Sequence, residues 1–396
     1  MTDPWPGMAV LSRSDDEVVT TGAVWRFAGA DAEAFQRIGV ERPLVALRGI
    51  DACERNVRDD SVLVLRARRA TEIAIDVRFE PTYRARHRGR FMVADDHGGV
   101  GVYPLRPRLV TRTASLRLDA GEEAWISAFP PRPRSPLRES QRIAHEGRPT
   151  PFPDGAYPGV GVIAESAEHC QVFCLHAYFW RACDPADRPR IGRYAGRRCS
   201  WRTRRHEPDD PARFAELRDA VREHGMEFVV YLSPQHSRAP DIEFEMERVI
   251  EEYDVDGLYL DGVAADLPTL YRVVRRTREI LGPRRILYLN ATDQPFGTPR
   301  VYAPFVDAQC DFVLRGDAGR GGLSRDTFLR YAVSGRNISN AVGVWCHYGS
   351  AGRPVLRERM PGADDVCAAQ AAGATVWRRS QAWREVGDDP LQFSAL

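Results

Sequence analysis

From Gly159 to the C-terminus, short apolar runs alternate with longer stretches of helical period, and this repeat constrains the fold more than any other feature of the chain. GVGVIAE, CQVFCLHAYFW, EFVVYLSP, GLYLDG, RILYLNAT, DFVLRGD, AVGVWCHYG and ATVWRRS read as strands. Between them, PARFAELRDAVREHG, IEFEMERVIEEY and LPTLYRVVRRTREILG carry apolar residues at helical spacing. Asp209 and Asp210 stand where an N-cap belongs, and Gly225 and Gly282 close the first and third of these helices. Strand–helix repeats imply a parallel sheet with crossover helices. Eight strands within residues 159–396 match the ~250 residues of a (β/α)8 TIM barrel. The first strand–helix turn has no GxGxxG phosphate cradle, which disfavours an open dinucleotide-binding sheet.

Ahead of this region the period is two. In TEIAIDVRFE, Ile73, Ile75, Val77 and Phe79 alternate with Ala74, Asp76 and Arg78, as in a strand with one buried face. SVLVLRAR, RFMVADDHGGVGVYPL, LVTRTASLRLDA and EEAWISAF continue the pattern, with a hairpin signal at Asp96–Gly99. Residues 1–130 therefore read as an N-terminal antiparallel β-sandwich. Eight of the 28 prolines lie between Pro130 and Pro158, a density that interrupts helix and sheet alike, so 131–158 reads as a linker and 159–396 as the barrel.

Composition narrows the chemistry. All 56 basic residues are arginine. Schiff-base aldolases, pyridoxal-phosphate enzymes, Walker-A NTPases and protein kinases each need a lysine and are excluded. The net charge of +1 gives no global pull toward nucleic acid or an anionic membrane. No apolar run reaches the ~20 residues of a spanning helix, and MTDPWPGMAV lacks a secretory pattern. The expectation is a cytoplasmic protein, and a homo-oligomer is compatible with it. The eight cysteines (Cys53, Cys170, Cys174, Cys183, Cys199, Cys310, Cys346, Cys367) contain no CxxC pair, and no HxH or HExxH occurs. Neither a metal nor another cofactor is expected. The arginine-rich stretches RRCSWRTRRH (197–206) and RARHRGR (84–90) read as solvated surface, the first beside Glu207, Asp209 and Asp210.

In a (β/α)8 barrel the chemistry comes from the C-terminal ends of the strands. Alternation in GLYLDG sets Tyr259 inward and Asp261 at the rim, with Asp256 at the opposite end as a turn or capping residue. The same reading places Asn290 at the end of ILYLN and Arg315 with Asp317 on one face of FVLRGD. It groups Trp345 with His347, and His176 with Tyr178 and Trp180, while Ser233 and His236 end VVYLSPQH. Aromatic faces beside polar tips suit a polyhydroxylated ligand.

VDGLYLDG, following a helix and YLSP, resembles the motif of many (β/α)8 glycoside hydrolases, most of all the α-galactosidase-like retaining α-glycosidases and their uncharacterised relatives. The resemblance covers roughly residues 160–350, and those families commonly carry an N-terminal β-sandwich. It implies a glycosidase cleaving O-glycosidic bonds of a small glycoside or oligosaccharide, with Asp261 as nucleophile and Asp317 as acid/base. The strand-end reading supplies the substrate-binding residues: His176, Tyr178, Trp180, His236, Tyr259, Asn290, Arg315, Trp345 and His347. Two positions depart from the pattern: Tyr259 stands where a lysine or arginine is usual, and Arg315 beside Asp317 favours the ionised carboxylate over a general acid. Retaining hydrolysis needs two carboxyl groups ~5–5.5 Å apart, and inverting hydrolysis ~6.5–9.5 Å. Glu165, Asp266 and Asp293 are further partners for Asp261, each read as lying on a loop after a strand. The alternative is a non-catalytic carbohydrate-binding protein on the same scaffold.

Overall fold

A computed structural model of the chain describes residues 10–13, 17–20, 23–27, 35–40, 63–67, 70–95, 98–106, 115–129, 141, 143–146, 157–168, 170–176, 179–181, 205–235, 237–261, 263, 266–291, 296, 298, 300–315, 322–324, 327, 331, 341–343 and 375–376. The N-terminal part holds two antiparallel sheets. One has the order β1 (Val10–Arg13), β2 (Glu17–Thr20), β3 (Ala23–Phe27), β6 (Thr71–Val77), β10 (Ser115–Leu118). The other runs β4 (Phe35–Val40), β5 (Leu63–Ala67), β11 (Glu123–Phe129), β9 (Gly99–Pro104), β8 (Arg90–Ala94), β7 (Tyr83–His87). The β7–β8 hairpin turns on Arg88 and Gly89, with φ of 48° and 77°. Positive φ at both central residues matches the twist of the flanking strands.

The remainder is an eight-stranded parallel sheet whose strands neighbour one another in chain order. It runs β12 (Ile143–Glu146), α1 (Val160–Ala167), β13 (Val172–Leu175), α2 (Pro211–Glu223), β14 (Glu227–Leu232), α3 (Ile242–Tyr253), β15 (Gly257–Leu260), α4 (Leu267–Leu281), β16 (Ile286–Asn290), α5 (Pro304–Asp307), β17 (Phe312–Arg315), β18 (Ala341–Gly343), β19 (Thr375–Val376). That order is TIM-barrel-like. Among the described residues no pairing joins β12 to β19.

The helices form where the caps and periodicity put them. Asp210, Asp241 and Asp266 accept the first free backbone N–H groups of α2, α3 and α4. Gly225 and Gly282 take positive φ just past α2 and α4. Two elements differ from expectation. GVGVIAE is the helix α1, not a strand, and the strand that opens the sheet is Ile143–Glu146, inside the stretch read as a linker. Its register with β13 (Ile143 opposite Val172) makes it a full member of the sheet.

Register decides which face each residue takes. Phe228 packs edge-on against Phe214 of α2, so Phe228, Val230 and Leu232 face the helices. Tyr231 is therefore on the other face, and the pairings Tyr231–Tyr259, Tyr259–Tyr288 and Tyr288–Phe312 carry that face across four strands. At the N-terminal edge, Asp256 accepts the N–H of Phe228 and a bond from Arg222, the turn role expected of it. Asp311 repeats the device one unit on, accepting from Leu287 N–H and from Arg278.

The six-stranded sheet is fixed to the parallel one through a continuous core. Tyr83, Ala85, Met92, Ala94, Tyr103 and Trp125 are buried in the same cluster as the parallel strands. The Tyr103 hydroxyl donates to Tyr302 O at 2.8 Å and the Tyr83 hydroxyl to Arg300 O at 2.6 Å. Trp125 meets Tyr271 edge-on and tilts against Phe305. Burying each such aromatic contributes ~1.5–3 kcal/mol, and ring pairing adds ~0.5–1.5 kcal/mol.

Candidate functional site

Three successive strands end in the same step: Tyr231-Leu232-Ser233, Tyr259-Leu260-Asp261 and Tyr288-Leu289-Asn290. Because the strands are in register, the repeat becomes two layers on the inner face. The lower layer is aromatic. Tyr259 and Tyr288 lie 4.4 Å apart between ring centroids, Tyr231 meets Tyr259 edge-on at 5.9 Å, and Phe312 closes the row. All four are buried. The upper layer is polar and places Ser233, Asp261 and Asn290 side by side.

His176, one residue past β13, completes the group. Its ring lies 4.7 Å from Tyr231 and 5.7 Å from Tyr259. Asn290 Nδ2 donates to Asp261 Oδ1 at 3.1 Å, which fixes the carboxylate plane. Asp261 Oδ2 faces His176 Nε2 across 3.7 Å. That gap is too long for a hydrogen bond but short enough for charge attraction when the ring is protonated. The Asp261 side chain keeps 27 % of its surface exposed, so the carboxylate is held but reachable. The Ser233 hydroxyl is buried and has no partner among the described residues.

The sequence-derived residues thus separate. Asp261, Asn290, His176 and Tyr259 come together, Tyr259 as floor. Trp180 does not join them. It is fully buried, donates its indole N–H to Tyr231 O at 2.8 Å, and packs on Phe179, Phe214, His206 and Tyr253 in the helical layer. The reason is that β13 stops at Leu175, so strand alternation no longer governs a residue five positions on. On β17, register puts Phe312 and Leu314 on the tyrosine face, and position 315 has the opposite parity, that of Val313 and Leu289. Asp317, Tyr178, His236, Asp293, Trp345 and His347 lie outside the described residues, as does the Arg315 side chain. Glu165 belongs to α1, not to a loop after a strand, and the Asp266 carboxylate caps α4.

Tyr231 and Tyr288 are the lining residues that strand-by-strand reading missed. The signal was present in the recurrence of Tyr-Leu-polar at three strand ends. Behind the site, Trp180 rests edge-on against His206. The His206 N–H and Arg248 both donate to Glu245. Burial alone would raise the Glu245 carboxyl, but bonds from His206 and Arg248 outweigh it and hold the group down at about 2. Burial also holds His206 below the usual histidine value, against the pull of Glu245. Among the described residues no group of three His, Cys, Asp or Glu side chains is placed to hold a metal ion, and no helix is long and apolar enough to cross a membrane.

No protein-family model and no curated protein matches the chain. Solved structures that resemble it include a Paenibacillus sp. cycloisomaltooligosaccharide glucanotransferase complexed with cycloisomaltoheptaose, at 10% identity and a TM-score of 0.35 over 72% of this chain and 52% of that one. An α-amylase from Lactobacillus plantarum matches at 10% identity and TM-score 0.33, over 49% of this chain and 56% of that one. A mutant tryptophan synthase α-subunit from Pyrococcus furiosus matches at 12% identity and TM-score 0.38, over 65% and 94%. The chain spans about half the length of the first two. Glycoside-active enzymes and a synthase stand side by side here, so the likeness separates no chemistry.

Proposed function

We propose that the C-terminal edge of the parallel sheet is a carbohydrate site on a closed (β/α)8 barrel. The chain is then a glycoside hydrolase acting on a small glycoside or oligosaccharide, with retention. The observation that carries this reading is a reachable carboxylate, Asp261, oriented by Asn290 and facing His176 above a layer of buried tyrosines. A fixed, partly exposed carboxylate is what attack on an anomeric carbon requires, while the aromatic floor and amide suit a sugar ring. Asp261 is the nucleophile and Asp317, on the segment after β17, the acid/base.

The test is hydrolysis of a panel of aryl glycosides and natural disaccharides. Asp261→Asn keeps the shape and removes the attacking charge. Turnover should fall by about 10³-fold or more, the scale expected when a covalent route is lost, with sugar affinity retained. Asp317→Asn should slow substrates with poor leaving groups more than activated aryl glycosides. Wild-type rates in Asp261→Asn sink the assignment.

A second reading, a non-catalytic carbohydrate-binding protein, is favoured by the inner-face positions of β17, Phe312 and Leu314, which are apolar and carry no carboxylate. That reading predicts saturable sugar binding in both the wild type and Asp261→Asn, and no turnover in either.

A further inference from the structure

The segment that leaves β16 at Asn290 is held by side chains of the six-stranded antiparallel sheet. Its first step stays with the parallel strands, Ala291 donating its N–H to Leu314 O at 3.0 Å. Farther on, Phe296 is buried and stacks on Tyr103 of β9 with 5.5 Å between ring centroids. The Tyr83 hydroxyl of β7 donates to Arg300 O at 2.6 Å. At Tyr302 both backbone groups are taken. Its N–H donates to Met92 Sδ of β8 at 3.2 Å, and its carbonyl accepts the Tyr103 hydroxyl at 2.8 Å. Loop backbone ordinarily bonds its own chain or water; here a second sheet takes that place.

The segment after β17 meets the same strands. Tyr331 stacks on Tyr83 at 4.6 Å, its hydroxyl lies 2.5 Å from that of Thr82, and its carbonyl accepts the Tyr302 hydroxyl at 2.6 Å. Tyr103 reaches Tyr302 because of a glycine. Gly101 lies two residues earlier on β9, on the same face, and a Cβ there would fall on the Tyr103 hydroxyl. The ring therefore lies back along its own strand over Gly101, and a larger residue at 101 would push it away.

We propose that Gly101 and Tyr103 are positioning residues for the candidate site: they fix the segment that begins at Asn290, and through it the Asn290 amide that orients Asp261. The inference rests on the carbohydrate reading above and gives the antiparallel sheet a part in it. Asn290 is bonded to Asp261 on one side and opens the anchored segment on the other. Only residues 291–295 separate it from Phe296, and a short stretch tethered at both ends has little slack in which to absorb a change of path. The loops that follow the strands shape the site of a (β/α)8 barrel; in this chain two of them are set from outside the barrel.

The Asn290 side-chain amide is the readout, because its N–H signals sense the Asp261 carboxylate directly. The chain has four asparagines, so nuclear magnetic resonance of protein labelled with 15N-asparagine resolves them, and Asn290→Ser assigns the pair. Tyr103→Phe keeps the ring and removes only the bond to Tyr302 O; Gly101→Ala displaces the ring. Both should shift the Asn290 signals and speed their hydrogen exchange about tenfold, the equivalent of one ordinary hydrogen bond. Asp311→Asn weakens the opposite edge of the sheet and should leave the signals in place. If the Asn290 signals keep their positions and exchange rates in both sheet variants, or move as far in Asp311→Asn, the proposal is overturned. Hydrolysis of aryl glycosides by the wild type, with Asn290 signals indifferent to both variants, leaves the glycosidase reading standing and removes this one. Shifted signals in a protein that hydrolyses none of the panel do the reverse.

Discussion

The carboxylate behind the site offers a test of how its wall is held. Glu245→Gln preserves volume and the acceptor for the His206 N–H but removes a charge whose side chain is only 6 % exposed. In the native state that charge binds Arg248 at 2.6 Å and the His206 backbone. Holding the carboxyl at about 2 instead of its ordinary 4.5 corresponds to about 3 kcal/mol of stability. The folded value is depressed, so this stability is complete above pH 4.5 and is lost as the pH falls toward 2. His206 acts in the same direction, because a ring kept neutral in the fold is protonated first in the unfolded chain. Urea denaturation followed by circular dichroism, at pH 7 and pH 3, measures the difference between wild type and variant. It should be about 3 kcal/mol at pH 7 and shrink to about 1 kcal/mol at pH 3. Trp180 rests on His206 and bonds Tyr231 O, so sugar affinity should weaken along with stability. A difference under about 1 kcal/mol at pH 7, or one that does not change with pH, would refute the reasoning, since surface pairs contribute that little.

Two further outcomes follow from packing. Asp311→Asn leaves the buried Arg278 guanidinium without its counter-charge and should cost about 3–5 kcal/mol in the same denaturation assay, whereas adding Arg278→Met to Asp311→Asn, which keeps an oxygen to accept the Leu287 N–H, should recover most of it. Gly257→Ala would place a Cβ 2.4 Å from Ile286 O; a backbone atom cannot yield as a side chain does, so a drop of several degrees or more in Tm is expected by calorimetry.

Much of the parallel sheet is readable from the sequence, because caps, helical period and strand runs agree from Asp210 to Arg315. Asp261 is legible for the same reason: it sits one step beyond a four-residue strand, where alternation still holds. Trp180 is five steps beyond its strand, and there the chain is positioned by packing instead. GVGVIAE and IAHE were misread for a different cause. A short apolar run fits strand or helix equally, and IAHE has little strand character until β13 pairs with it. In β17 both parities are apolar, Phe312 and Leu314 against Val313, as a strand buried on both faces must be. Only pairing with β16 tells them apart.

The docking of the six-stranded sheet also has a consequence for synthesis. Tyr103 and the carbonyl it bonds are 199 residues apart, and Trp125 waits for Tyr271 and Phe305. At ~5–20 residues per second, roughly 10–40 s pass between the emergence of the first partner and the second. For that interval the ribosome displays a finished antiparallel sheet with its aromatic face uncovered. The nascent chain is then at its most adhesive, and slowing translation beyond residue 130 should lengthen the hazard without altering the final fold.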